Sequence, residues 1–345
     1  MKKLSKILPL LLVAPLSACS ATYNTFEKHL FAFGTECHFT LYDINGEKGE
    51  KSVNAFYQKL KTIDEYADAN NKRDVIGVYD LNQTNEKIEI DEELYNILSK
   101  AKELDEVVTY FNPFVGTLSN MWKEALDKGE ILDDQTLDAE TLKISNSSLN
   151  LSRDGDKYYA QRVGEAKLDL GAMAKGYALD KCLEVSREVD CLDHIISLGR
   201  SSIALGVSSA DKTKMGGKVN MPGYYGVRIE ELGAKYLYLQ KSFVSTSGNS
   251  EQGKVIDGQM YSHIINPYTG EAITSYDEVI VVTDESNGYG PLGDALSTSL
   301  MMSSLEEIKE AEKEFNVGII AIFDGGISYK SESVKLYNAN GQEIS

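Results

Sequence analysis

Lys167-Leu168-Asp169-Leu170-Gly171-Ala172-Met173-Ala174-Lys175-Gly176-Tyr177-Ala178-Leu179-Asp180 is the stretch on which the fold turns. Its first four residues read as a short strand, and the chain then passes through Gly171 into a helix running to about Arg187. A strand that yields to glycine and then to a helix aims backbone N–H groups at an anion. Lys175 adds a point charge suited to phosphate, and Gly171 and Gly176 permit close backbone approach. The spacing departs from GxGxxG and from GxxxxGK[ST], so neither a Rossmann nor a P-loop reading is licensed.

Working outward, residues 30–44 are strand-like around Gly34-Thr35. Val53, Phe56, Leu60 and Ile63 fall at helical spacing, as do Leu94, Ile97, Leu98, Ala101 and Leu104 in a helix begun by Asp91. Residues 69–82 between them read as a polar loop. Phe111-Asn112-Pro113-Phe114-Val115-Gly116 interrupts regular structure, and Asp154-Gly155 sits between two strand-like runs as a hairpin turn. Beyond the central helix, strands are expected at 194–198, 203–207, 224–229, 236–239, 261–265, 279–283 and 317–323, with an exposed loop at 208–223. Helices are expected at 291–302 and 305–315. Strands and helices mix without strict βαβ alternation, which gives an α+β class: mixed sheets with packed helices in a single large domain, residues 26–345.

The beginning of the chain reads differently. Lys2, Lys3 and Lys6 precede an apolar run at 7–16, and Leu16-Ser17-Ala18-Cys19 supplies small residues before a cysteine. That order is a lipoprotein signal peptide, residues 1–18, and the apolar run is too short to span a bilayer about 30 Å thick. Residues 19–25 are then a lipidated tether, and the expected location is extracytoplasmic, anchored to the cell membrane through Cys19. The formal charge of −18 argues against a nucleic-acid partner and means that an anionic ligand needs a metal or a lysine beside it. Cys37, Cys182 and Cys191 show no CxxC spacing and read as small buried apolar residues, with a Cys182–Cys191 disulfide as the alternative.

Asp294 and Thr298 in Gly293-Asp294-Ala295-Leu296-Ser297-Thr298 lie on one face of a helix, a carboxylate and a hydroxyl suited to Mg²⁺. The alternative is an acidic residue favoured by the helix dipole beside an incidental threonine. His263 in His263-Ile264-Ile265-Asn266-Pro267-Tyr268-Thr269-Gly270, at the end of a strand, is either a general base for a hydroxyl nucleophile or a structural histidine. Ser245-Thr246-Ser247-Gly248-Asn249 reads as a turn that either binds phosphate or merely ends a strand. No Ser/His/Asp order and no HExxH run suggests a hydrolase of the usual kinds.

Taken in register, these pieces resemble the ApbE family of FAD:protein FMN transferases over roughly residues 26–325. The segments that carry the likeness are Phe31-Ala32-Phe33-Gly34-Thr35, Tyr79-Asp80-Leu81-Asn82, Phe111-Asn112-Pro113 with Trp122, and the 168–180 stretch. Ser197-Leu198-Gly199, Thr246-Ser247-Gly248, the His263–Gly270 run and Asp294-Ala295-Leu296-Ser297-Thr298 complete it. The chain carries Phe33, Thr109, Arg200 and Asn70 where that family often has Met, Gly, a second Gly and Tyr.

The resemblance implies an ApbE-like, T-fold-like domain that binds FAD with Mg²⁺ and splits its pyrophosphate. FMN would pass as a phosphoester to a Ser or Thr hydroxyl of an exported target, within an Asp-x-x-(Ser/Thr)-Gly-Ala-(Ser/Thr)-like sequence. It implies Asp294, Thr298 and the Ala172 carbonyl as Mg²⁺ ligands, and Asp169 and Lys175 as FAD contacts. Phe33, Thr109, Tyr110, Phe111 and Ile265 would border the flavin or adenosine, and His263 would be the base. Two alternatives stand beside transfer: an Mg²⁺-dependent FAD pyrophosphatase releasing FMN and AMP, and a surface lipoprotein that binds FAD without catalysis.

Overall fold

The computed structural model describes residues 24–208, 223–230, 232–233, 235–249, 253–272, 274–284, 289–338, 340 and 342–344. The expected signal peptide, Cys19 and most of the expected 208–223 loop lie outside the described residues.

A hairpin of β1 (Thr25–Ala32) and β2 (Thr35–Tyr42) comes first. The strand expected across 30–44 is thus broken at Phe33 and Gly34, both left-handed, with φ of 52° and 67°. The strand-like composition continues on both sides of that turn, so pattern alone does not mark it. Thr25, the last residue of the expected tether, already pairs with Tyr42. α1 (Gly46–Ala67) is capped by the Asn45 side chain and buries Val53, Phe56, Leu60 and Ile63 along one stripe. The polar 69–82 segment holds one short helix, α2 (Val78–Leu81).

β3 (Ile88–Ile90), α3 (Glu92–Val107, with Asp91 at its N-cap), α4 (Gly116–Lys128) and α5 (Asp134–Ser145) follow. The Asp154-Gly155 hairpin joins β4 (Ser148–Asp154) to β5 (Lys157–Val163), which pairs with β3 in a three-stranded sheet. Next are α6 (Ala174–Glu188), β6 (His194–Leu198), β7 (Ser202–Leu205), β8 (Tyr225–Ile229), β9 (Lys235–Leu239) and β10 (Ser242–Gly248). The chain continues through β11 (Lys254–Ile256), β12 (Gln259–Tyr261), β13 (Glu278–Asp284), α7 (Tyr289–Leu300) and α8 (Leu305–Phe315). β14 (Gly318–Phe323), β15 (Gly326–Lys330), β16 (Leu336–Tyr337) and β17 (Glu343–Ile344) close it.

The frame is an eight-stranded sheet in the order β1-β2-β6-β7-β10-β13-β14-β15, and every strand pairing among the described residues is antiparallel. One face contributes Phe39, Ile196, Ala204, Phe243 and Val281 to a core shared with α1, α6 and α7. The other contributes Ile195, Leu205, Val244 and Ile320 to a second core with Tyr225, Val227, Leu237 and Leu336 of the four-stranded sheet β17-β16-β9-β8. The class is α+β, as expected, with alternate residues of the same strands feeding two cores.

Three local expectations are corrected. Residues 167–170 are unpaired in any sheet, because other segments take their backbone groups. Ser245–Gly248 is the second half of β10 rather than a turn, paired with β13 throughout and with β7 only at Ser245, and its small polar composition hides that pairing. The strand expected at 261–265 ends at Tyr261; the Ser262 hydroxyl takes the Ile264 N–H and Ser262 N bonds to Ala272 O, so His263 sits in an irregular segment. Cys37, Cys182 and Cys191 are all free and buried, so the alternative disulfide is absent. Among the described residues, no helix is long and apolar enough to cross a membrane.

Candidate active site

The entry to α6 is built by residues far away in sequence. Asn82 straddles Leu168, its Nδ2 donating to Leu168 O at 2.9 Å and its Oδ1 accepting from Leu168 N at 2.7 Å. Asp169 N donates to Pro113 O at 2.7 Å, and Gly116 N to Lys167 O at 2.9 Å. Gly116 is required there: a Cβ at that position would meet Leu168 O at 2.8 Å. Asp169 Oδ1 then accepts from Gly171 N at 2.7 Å, an Asx turn that redirects the chain into α6. The Tyr79–Asn82 and Phe111–Gly116 motifs therefore form the scaffold of the 167–171 turn.

Two glycines bring α7 against α6. A Cβ on Gly176 would meet Gly290 O at 2.1 Å, and one on Gly290 would meet Gly176 O at 2.4 Å. That approach lets Asp294 Oδ2 accept from Gly176 N at 2.6 Å while Oδ1 accepts from Ser202 Oγ at 2.9 Å. Burial pushes the Asp294 carboxyl above its usual range, against the pull of Lys175, Ser202 and Gly176 N–H. A turn further along α6, Asp180 Oδ1 accepts from Gly290 N at 2.9 Å. Burial pushes Asp180 up to about 8, with the nearby Asp294 charge adding to the shift.

Asp294 opens onto a cleft of about 490 Å³ between the α6–α7 ends, the central strands and β8. Ala172, Lys175, Thr298 and His263 line the same cleft. Lys175 Nζ donates to Ser201 Oγ. Ser247 Oγ lies 2.9 Å from Ser297 Oγ and 3.1 Å from Thr298 Oγ1, so the hydroxyl-rich part of β10 faces the α7 motif. Arg200, singled out by its place in the family pattern, shares this wall with Arg228, Glu230 and Glu278, which no motif marks. With Lys175 and Asp294 they make three cationic and three acidic side chains, so the cleft is close to charge balance in a chain of net −18. Arg228 pairs with Glu230 at 3.0 Å. Ser202, held by its β7 position beneath Asp294, could not have been singled out from sequence.

The remaining candidates lie elsewhere. Asp169 lines a separate pocket of about 80 Å³ with Asn70, Asn82 and Asn120, and desolvation raises its pKa. Phe33 forms the β1–β2 turn, and Phe111 and Ile265 are core residues at 4% and 7% exposure. Thr109 is exposed. Tyr110, at φ 64°, donates to Glu307 Oε1 at 3.2 Å and packs edge-on against Tyr268 with ring centroids 5.7 Å apart. That contact ties the 109–111 segment to the loop carrying His263.

Fold and site together define an antiparallel α+β protein whose cleft gathers cationic, carboxylate and hydroxyl side chains. A sequence profile of the ApbE family matches residues 33–323, and the chain belongs to that family. It is similar to the FAD:protein FMN transferase of Treponema pallidum, 24% identical over 319 residues covering 88% of this chain and 85% of that one. The FAD:protein FMN transferase of Haemophilus influenzae is 23% identical over 96% of this chain and 97% of its own length. Among solved structures, the ApbE protein of Thermotoga maritima superposes with a TM-score of 0.72 at 22% identity, covering 90% of this chain and 97% of that one. The flavin transferase ApbE of Vibrio cholerae gives 0.68 at 19% identity, covering 90% and 98%.

Proposed function

We propose that the chain transfers FMN from FAD to a Ser or Thr hydroxyl of an exported protein, releasing AMP. The observation that carries this reading is the convergence of Ala172, Lys175, His263, Asp294 and Thr298 from three separate sequence motifs on one cleft. The hydroxyl oxygen attacks the FMN phosphorus, the bond from that phosphorus to the bridging oxygen breaks, and AMP leaves with the bridging oxygen. His263 at the cleft rim takes the hydroxyl proton and returns it to solvent. Lys175 faces the diphosphate, and Ser201 orients its ammonium.

The donor set suits Mg²⁺. A carboxylate, a hydroxyl and a carbonyl are hard oxygens, and Asp294 is a desolvated carboxylate whose charged form calls for a cation. Asp294, Thr298 and the Ala172 carbonyl would hold the ion, which when bound would neutralise diphosphate charge and polarise the phosphoryl oxygens. In the test, Asp294→Asn and His263→Ala are each assayed for AMP release from FAD with an acceptor present. Each is expected to lose about 100-fold or more. Near-wild-type rates in either would remove that residue from the mechanism.

The Lys-rich start, apolar run and Cys19 support a lipid-anchored enzyme on the outer face of the membrane, among exported acceptors. Cys19→Ser should move the protein from the membrane fraction to the soluble fraction. Retention at the membrane would contradict anchoring through that residue.

A further inference from the structure

We propose that His29, Glu36 and His38 form a binding site for a borderline transition-metal cation of the Zn²⁺ class, separate from the cleft. The hairpin register assembles it. His29 pairs directly across β1–β2 with His38, and Glu36 stands two residues before His38 on the same strand face. Glu36 bridges the two rings, with Oε1 at 3.0 Å from His29 Nδ1 and Oε2 at 2.8 Å from His38 Nε2. The ring centroids lie 4.0 Å apart. One ligand atom from each residue falls within a 4.8 Å set. Tetrahedral Zn²⁺ with bonds near 2.0–2.1 Å places its ligand atoms about 3.3 Å apart, so small rotamer shifts of these half-exposed side chains close the set.

The chemistry differs from that of the cleft. Two imidazoles and a carboxylate favour a borderline ion such as Zn²⁺, whereas the all-oxygen set around Asp294 favours Mg²⁺. The chain has four histidines. His194 is buried against Cys191 O and His263 lines the cleft, which leaves His29 and His38 as the pair that meets.

The placement is also specific. β1 is the edge strand, and the cross-strand row His29–His38–Ser197–Ile203–Val244 continues into three residues that line the cleft. An ion held by three protein ligands at this edge keeps a coordination position for water beside the cleft.

The test is a Zn²⁺ titration of the purified full chain in excess Mg²⁺, read by competition with a chromophoric chelator. One equivalent is expected to bind. His29→Gln and His38→Gln, which keep size and polarity, should each weaken binding by about tenfold or more while leaving the metal-free melting temperature unchanged. Asp294→Asn should retain the site. Absence of Zn²⁺ binding, wild-type affinity in the His29→Gln/His38→Gln double variant, or loss of binding in Asp294→Asn instead would each overturn the assignment.

Discussion

Asp294, buried, and Asp180, partly buried, stand near the α6–α7 contact, and each spends an oxygen on a backbone N–H of the opposite helix. Desolvation pushes the Asp180 carboxyl up to about 8, far above an ordinary carboxylate near 3.9. The folded chain therefore holds this proton more tightly than the unfolded chain does. Between about pH 4 and about pH 8 the native state binds more protons, so this group's contribution to stability falls as pH rises, by at most about 1.4 kcal/mol per unit. Asp180→Asn keeps the acceptor for Gly290 N–H and cannot ionise. Urea unfolding at about pH 5 and about pH 8 should show a smaller loss of stability in the variant than in the parent. Parallel losses would mean that Asp180 does not sense pH as its burial dictates. Asp294, Thr298, Lys175 and His263 were legible because they sit in motifs with chemical content. Ser202, Arg228 and Glu230 were not, because only sheet pairing and strand packing bring them to the cleft.

The α6–α7 pair shows what an element can contribute that no single side chain does. Gly176 and Gly290 approach through backbone alone, and Gly176→Ala would drive a Cβ to 2.1 Å from Gly290 O. The helices would have to separate, at a cost of about 1–3 kcal/mol, and Asp294 would lose Gly176 N–H as a donor. A lowered urea midpoint together with loss of flavin turnover is expected for Gly176→Ala. An unchanged midpoint would show that the contact is slack. Helices with apolar stripes and capping residues, such as α3 and α8, read from the sequence nearly to their ends. The misread elements share one cause. Residues 167–170 have strand composition but are tied to Asn82, Pro113 and Gly116, and Ser245–Gly248 has turn composition but is held as a strand along β13. Partners distant in sequence decided both.

At the scale of the whole molecule, an acidic chain has kept one cleft near charge balance. Its Lys175, Arg200 and Arg228 offset Glu230, Glu278 and Asp294, a distribution that suits a diphosphate accompanied by a divalent ion. The family was legible because several weak motifs stood in the right order, while the arrangement of two cores on one eight-stranded sheet was legible only as a mixed α+β class. The most direct measurement of the central claim is mass spectrometry of an exported acceptor carrying an Asp-x-x-(Ser/Thr)-Gly-Ala-(Ser/Thr)-like sequence, after incubation with the purified chain, FAD and Mg²⁺. The expected result is one FMN joined through a phosphoester to the Ser or Thr of that sequence, with one AMP released per adduct and no adduct from Asp294→Asn. Release of FMN and AMP with the acceptor unmodified, or FAD left intact, would contradict it.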